Sequence, residues 1–346
     1  MRILFVRLSS FGDVVFALPA AKALRTALPG ARLAWAIEGP LAPLLEGAPY
    51  VDEILVAETR VWRKSILGKK TREEISDFLR RGRELGADLV VDAQGLFKSA
   101  LITAAIPAGR KVGFGFRTAT EWINCLFTHE HVEAADRPHV ADRMLALAEH
   151  VTEKTGFDRV PDVQHLVERE DPAVDSWLDQ MGGRRFAVLQ PFSSKVNKEW
   201  AAGDVVAFSE WLGAQGIQAV LRWGPGEESR ADALITLSKK SSSSSSSPLN
   251  LPPSSPLVLA PATTPASSAR LASRAALFVG ADTGPTHLAA AAGTPTLVLF
   301  GPTPIERFGP IGPRTAALRE LPADYNRSGP RWPANAVHEA VRHLLA

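Results

Sequence analysis

Through most of its 346 residues the chain alternates short β-branched and apolar runs with longer stretches of helical period. Candidate strands cover residues 3–6, 33–37, 54–56, 89–91 and 111–114, then 186–189, 218–221, 257–259, 276–279 and 296–300. Several are apolar at every position, the pattern of strands covered on both faces in a parallel sheet. Helical patterns fall between them, at 14–28, 73–85, 141–151, 204–214 and 286–292. Repeated β-α alternation requires right-handed crossovers, so the expected fold class is α/β with doubly wound parallel sheets. The length suggests two such domains, each large enough for its own core.

The break between them is expected near residues 167–172, where Glu168, Arg169, Glu170 and Asp171 form a charged connector before a helix at 171–181. This gives domains at 1–168 and 169–330, followed by a C-terminal helix within 331–346. Val337, Ala340, Val341, Leu344 and Leu345 share one face of that helix, which is expected to pack back on the first domain. The serine run at 241–247, with Lys239 and Lys240 before it and Pro- and Ser-rich sequence after it, reads as a flexible insertion over about 239–256. The lone Cys125 excludes an internal disulfide framework and a multi-cysteine zinc site. No run is apolar enough for a transmembrane helix, and Arg7 and Asp13 interrupt the apolar stretch that a secretory leader needs. A net charge of +2 gives no general affinity for nucleic acid, so local charge matters more.

Ligands in open α/β sheets bind beyond the carboxyl ends of strands. The residues at those ends here are rich in chemistry. After the first strand come Ser9, Ser10, Phe11, Gly12 and Asp13, where Asp13 is either a general base or an acidic residue favoured at a helix start. The fourth leads into Asp92-Ala93-Gln94-Gly95 and Lys98. In the second half, Ser193, Ser194, Lys195 and Lys198 follow one strand; a lysine there either neutralises a leaving diphosphate or is simply solvated. Glu227 and Glu228 follow a Gly-Pro-Gly turn, suited to ribose hydroxyls or to a helix N-terminus. Asp282, Thr283, Gly284, Thr286 and His287 open a helix, either by ordinary capping or as an anion site. The window 60–83 carries nine Lys and Arg against three acidic residues, with Trp62, Ile66 and Leu67 interspersed; it suits an anionic amphiphile or a solvated face. Neither GxGxxG nor GxxxxGK[ST] is present, which argues against NAD-binding and P-loop sites.

Together these segments resemble glycosyltransferase family 9, the bacterial lipopolysaccharide heptosyltransferases, and within it the heptosyltransferase I group. The resemblance spans nearly the whole chain. Its carriers are Ser-Ser-Phe-Gly-Asp-Val at 9–14, Arg-Val-Trp-Arg-Lys at 60–64, Asp-Ala-Gln-Gly-Leu-Phe-Lys-Ser at 92–99, Asp-Thr-Gly-Pro-Thr-His-Leu at 282–288 and Phe-Gly-Pro-Thr at 300–303. The stretch 191–197 departs from the pattern, and the serine-rich insertion precedes the segment 259–264 that approaches the nucleotide in the family.

The resemblance implies a GT-B architecture, with two Rossmann-like domains facing a central cleft, acceptor on the first and nucleotide-sugar on the second. It implies inverting transfer of L-glycero-D-manno-heptose from ADP-heptose to the Kdo of Kdo-lipid A, with no cofactor and no metal. By this likeness Asp13 and Lys198 are catalytic. Ser193, Ser194, Lys198, Glu227, Asp282, Thr283, Gly284 and His287 bind the donor, and Ser10, Gly12, Arg60, Arg63, Lys64, Gln94 and Lys98 bind the acceptor. The expected protein is a monomer in the cytoplasm, peripheral on the inner membrane. Alternatives are heptosyltransferase II or another family 9 transferase, a GT-B sugar-nucleotide epimerase, or a non-catalytic nucleotide-sugar-binding module.

Overall fold

The computed structural model describes residues 1–244, 257–319 and 331–346. The chain divides into two units, Met1–His165 and Leu166–Ala346, so the boundary falls within three residues of the expected one. Each unit is built on a six-stranded parallel sheet.

In the first unit the strands are β1 (Arg2–Val6), β2 (Arg32–Ile37), β3 (Glu53–Val56), β4 (Leu89–Asp92), β5 (Arg110–Phe114) and β6 (Glu130–Val132). In the second they are β7 (Phe186–Gln190), β8 (Gln218–Leu221), β9 (Leu257–Leu259), β10 (Leu277–Ala281), β11 (Thr296–Phe300) and β12 (Thr315–Arg319). The orders β3-β2-β1-β4-β5-β6 and β12-β11-β10-β7-β8-β9 are the same winding repeated. In each the winding reverses between the unit's first and fourth strands, β1/β4 and β7/β10, the place where open α/β sheets bind ligands beyond the carboxyl ends of their strands. All ten expected strands are present; the edge strands β6 and β12 were not anticipated.

The apolar runs become strands because both faces of each sheet are covered. In the first unit Leu4, Val6, Ala34, Ala36, Leu55 and Val90 pack against Phe78 and Ile102. Helix Phe11–Ala27 packs along helix Val140–Thr152. Trp35 is fully buried edge-on to Phe5, and its indole N–H donates to Arg7 O at 3.0 Å, so the large ring is buried without an orphaned donor. In the second unit Leu189, Leu221, Val279 and Leu299 meet Val205, Phe208 and Leu212, while Val188, Val220 and Phe278 meet Val174, Leu271 and Ala289.

Two expectations are corrected here. The amphipathic C-terminal helix, Ala334–Leu345, was assigned to the first domain. Its buried face (Val337, Val341, Leu344) instead completes the second unit's core beside Leu297 and Leu299. Trp332 leads into it, donating to Phe300 O at 3.2 Å, and His338 stacks on Trp211 at 4.2 Å. Amphipathicity fixes which face is buried, not which surface receives it. Residues 239–244, expected to open a flexible insertion, are instead helical, since helix Glu228–Ser244 carries Lys239, Lys240 and the first serines, with Ser241 donating to Glu210 at 2.6 Å. The rest of the serine run lies outside the described residues.

Candidate active site

The loop after β1 turns directly into helix Phe11–Ala27 and carries Asp13 in its first turn. Asp13 Oδ2 accepts from the Ser10 N–H at 3.1 Å and hydroxyl at 2.8 Å, and pairs with Arg7 at 2.9 Å. Among the described residues, every hydrogen-bond and ion-pair partner of the carboxylate reaches Oδ2, leaving Oδ1 without one. Burial pushes the Asp13 pKa up, but the Arg7 charge and the Ser10 hydrogen bonds more than reverse this and hold it below the usual carboxylate range. Asp13 is therefore an ionised carboxylate with one anchored and one open oxygen.

Arg7 is itself buried; a second guanidinium nitrogen donates to Ala93 O at 2.7 Å. Around it β4 supplies a rigid support. Asp92, wholly buried, accepts from the Gln94 N–H at 2.9 Å, the Gly95 N–H at 3.1 Å, Asn124 at 2.7 Å and Thr103 at 3.2 Å. Gly95, at φ +66°, makes the turn that this wrapping requires. The Gln94 carboxamide then reaches across to the β1 loop, accepting from Leu8 N–H at 2.7 Å and Ser9 N–H at 3.3 Å and donating to Ser9 O at 2.9 Å. Gln94 was expected to meet the acceptor. Here its side chain clamps the backbone leading to Asp13. The Ser10 hydroxyl likewise donates to Asp13.

Lys98 donates to the Ser9 hydroxyl at 2.6 Å and lies 3.9 Å from Glu38, which is buried and also accepts from Thr59. Burial lowers the Lys98 pKa; Glu38 opposes that, while Arg60 and Arg7 add to it. Gly12 sits in the first helical turn next to Asp13. Arg60, Arg63 and Lys64 are exposed on and just after the short helix Thr59–Trp62, beyond the carboxyl end of β3. Trp62 ties this segment to helix Lys69–Glu84 by donating to Glu74 at 3.1 Å and meeting Phe78 edge-on.

The second unit's reversal point is built alike. Lys198, after β7, pairs with Asp282, after β10, at 2.5 Å, and His287 bonds the other Asp282 oxygen at 2.9 Å. Burial raises the Asp282 pKa, but His287 and then Lys198 outweigh it and bring it down to about 2. Gly280 is required where β10 passes β7, since a Cβ there would fall 2.6 Å from the Thr286 hydroxyl and 2.9 Å from Gln190 Cβ. Thr286 donates to Ala281 O at 2.8 Å and shares a hydrogen bond with Thr283 at 3.2 Å. Both hydroxyls thus shape the loop. The Thr286 and His287 N–H groups bond Thr283 O and Pro285 has none, so the helix start offers the Gly284 amide rather than a full set.

Ser193 receives a hydrogen bond from the Lys195 N–H at 3.2 Å, while Ser194 is exposed. Lys195, the neighbouring candidate, is exposed and only Lys198 joins Asp282. Glu227 caps the Gly224 N–H through one oxygen at 2.7 Å. A buried Arg222 was missed by sequence reasoning. It donates to Gln190 Oε1 at 2.7 Å and to Ser268, and burial lowers its pKa to about 10. Arg7 and Glu38 were missed in the same way, and Asp92, noted at its strand's end, was given no role, because its partners Asn124 and Thr103 are remote in sequence.

The chain is similar to known proteins over most of its length. Lipopolysaccharide heptosyltransferase 1 of Salmonella typhimurium is 28% identical over 319 residues, covering 90% of this chain and 92% of its own length. The Escherichia coli K12 protein of the same name is 27% identical, covering 92% and 93%. The solved E. coli heptosyltransferase WaaC with ADP superposes at a TM-score of 0.81 with 26% identity, over 99% of this chain and 100% of that one. The same enzyme with ADP-2-deoxy-2-fluoro heptose gives 0.80, and the two sheets are those of the GT-B fold. The family profile itself matches residues 76–328, most of the chain, and runs from helix Lys69–Glu84 of the first unit through the Lys198–Asp282–His287 row of the second. The chain belongs to glycosyltransferase family 9, the heptosyltransferase family, and is a glycosyltransferase.

Proposed function

We propose that this enzyme transfers L-glycero-D-manno-heptose, with inversion, from ADP-heptose to the Kdo of Kdo-lipid A. The observation that carries the chemistry is Asp13, ionised, fixed through Oδ2 and open at Oδ1. It stands in a chain similar over its length to a heptosyltransferase solved with ADP and with a fluorinated ADP-heptose.

In this reading Oδ1 takes the proton of the acceptor hydroxyl as that oxygen bonds the anomeric carbon. The bond from that carbon to the diphosphate oxygen breaks on the opposite side, and ADP leaves with the electron pair. The negative charge growing on ADP is met by Lys198, held in place by Asp282, by the Ser193 and Ser194 hydroxyls, and by the start of helix Gly284–Ala291. Glu227 keeps one carboxylate oxygen for the ribose hydroxyls. Arg60, Arg63, Lys64 and Lys98 supply the positive charge that Kdo carboxylates and lipid A phosphates require.

A lysine and a helix dipole serve here where other transferases employ a divalent cation, so the reaction is proposed to need neither metal nor cofactor. The acceptor places the work at the cytoplasmic face of the inner membrane, with the protein a peripheral monomer. No described helix is long and apolar enough to cross a membrane. The test is direct. Purified protein, ADP-heptose and Kdo-lipid A, with EDTA present, should yield an acceptor heavier by one heptose on mass analysis. Absence of that product with Kdo-lipid A, alongside turnover of another acceptor, would reassign the substrate.

A further inference from the structure

The first unit carries exposed apolar surface that neither its core nor its proposed chemistry uses. Helix Phe97–Ala105 exposes Phe97 (44%) and, one turn on, Leu101 (50%). Beside it the 3-10 helix Trp122–Phe127 exposes Trp122 (62%) and Leu126 (61%). The two elements are stitched together, because Glu121 N–H donates to Gly95 O at 3.0 Å, Phe97 N–H to the Glu121 carboxylate at 2.5 Å, and Asn124 to Leu96 O at 3.1 Å. The four side chains therefore sit on two elements fixed to one another rather than on mobile loops.

A second apolar group, Ile66 (63%) and Leu67 (82%), follows Arg60, Arg63 and Lys64, and no ion pair neutralises those three cations among the described residues. Both groups leave the sheet from its carboxyl edge, one after β3 and the other after β4 and β5, as does Asp13 after β1. In the second unit, by contrast, the large apolar side chains exposed among the described residues are Val196 and Leu237, isolated from each other in sequence.

We infer that the Phe97–Leu101–Trp122–Leu126 surface and the Ile66–Leu67 turn are two anchors that seat the first unit on an anionic phospholipid bilayer. Indole and phenyl rings partition to the boundary between headgroup and acyl chain, where apolar faces and polar edges are both satisfied. The cations beside Ile66, proposed above to meet the acceptor, also attract the chain to the anionic headgroups among which that lipid lies. Two anchors separated along one sheet edge fix orientation as well as attachment, and they turn the edge that carries Asp13 toward a lipid-held acceptor. The inference deepens the membrane-surface role proposed above and rests on it.

The test uses the full chain and vesicles without any sugar substrate. Co-sedimentation is measured with phosphatidylethanolamine vesicles containing about one third phosphatidylglycerol, and with phosphatidylcholine alone. The unaltered chain should favour the anionic vesicles. Trp122→Ser with Leu126→Ser, and separately Ile66→Ser with Leu67→Ser, should each weaken binding by about tenfold or more, given the apolar area removed. Thermal melting should match the parent, since all four side chains are exposed, and heptose transfer to a water-soluble, deacylated acceptor should be unchanged. Unaltered vesicle binding in both double variants overturns the inference. So does a concentration-dependent dimer in sedimentation velocity that Trp122→Ser with Leu126→Ser abolishes, because a second copy then covers the surface. If the parent binds vesicles as expected but transfers heptose to no acceptor, the proposed reaction fails while the membrane surface stands.

Discussion

Replacing Asp282 by Asn removes one negative charge from the Lys198–Asp282–His287 row while keeping the side chain's shape. The wild-type carboxyl has its pKa lowered from 3.8 to about 2 and is almost wholly buried, so little solvent screening discounts the effect. At about 1.4 kcal/mol per pKa unit, the depression is worth about 2 kcal/mol to the folded state. The sign follows from a folded pKa below the unfolded one. The contribution is complete above the unfolded value and is lost as pH falls from about 4 to about 2. Urea denaturation of wild type and Asp282→Asn should therefore show a stability gap at pH 7 that narrows by about 2 kcal/mol on acidification through that window. At neutral pH the variant should also melt several degrees lower, about 4–8 °C for a unit of this size. A gap that stays constant between neutral pH and pH 3 would refute the reasoning, since the ion pairs would then contribute nothing dependent on ionisation.

Asp13→Asn should lower kcat by about 10²–10⁴ with ADP affinity unchanged, measured by steady-state kinetics and calorimetric titration; near-normal turnover removes Asp13 from the role of base. Lys198→Ala should raise the donor KM and slow transfer, and unchanged donor kinetics would move the assignment to Lys195. Gln94→Leu deletes three hydrogen bonds to the backbone at 8–9 and should cut kcat by about 10–100-fold while leaving the donor KM alone; a donor-side effect would contradict its place in the first unit.

The sheets were legible because all eight central strands and the edge strands β3 and β9 stand out as short apolar or β-branched runs between helical patterns. The two that escaped are informative. β6 is three residues at an edge, Glu-His-Val, and β12 reads Thr-Ala-Ala-Leu-Arg, too poor in β-branched residues to stand out. The serine run misled for a related reason, because serine tolerates a helix whose preceding turns, through Leu234 and Ser238, are already buried.

At the site, the residue types at strand ends were visible but not their division of labour. Asp13, Lys198 and Asp282 stand just beyond strand ends, as their sequence positions suggested, and Lys198 and Asp282 pair with each other. Gln94 was given to the acceptor because its bonds to residues 8 and 9 span 85 positions or more of sequence, which no local pattern reveals. Arg222 and Asp92 are buried polar anchors of the same long-range kind.

The Gln94 clamp has a consequence for how the enzyme comes into being. The loop bearing residue 13 is shaped by groups that arrive only when β1 and β4 have become neighbours, and Ala93 completes the bonding of Arg7 from the same direction. A nascent or partly unravelled first unit thus owns every atom of its proposed proton acceptor yet lacks the scaffold that aims it. Recovery of turnover after refolding should track the joining of those two strands, and the catalyst stays silent in any form where they are apart.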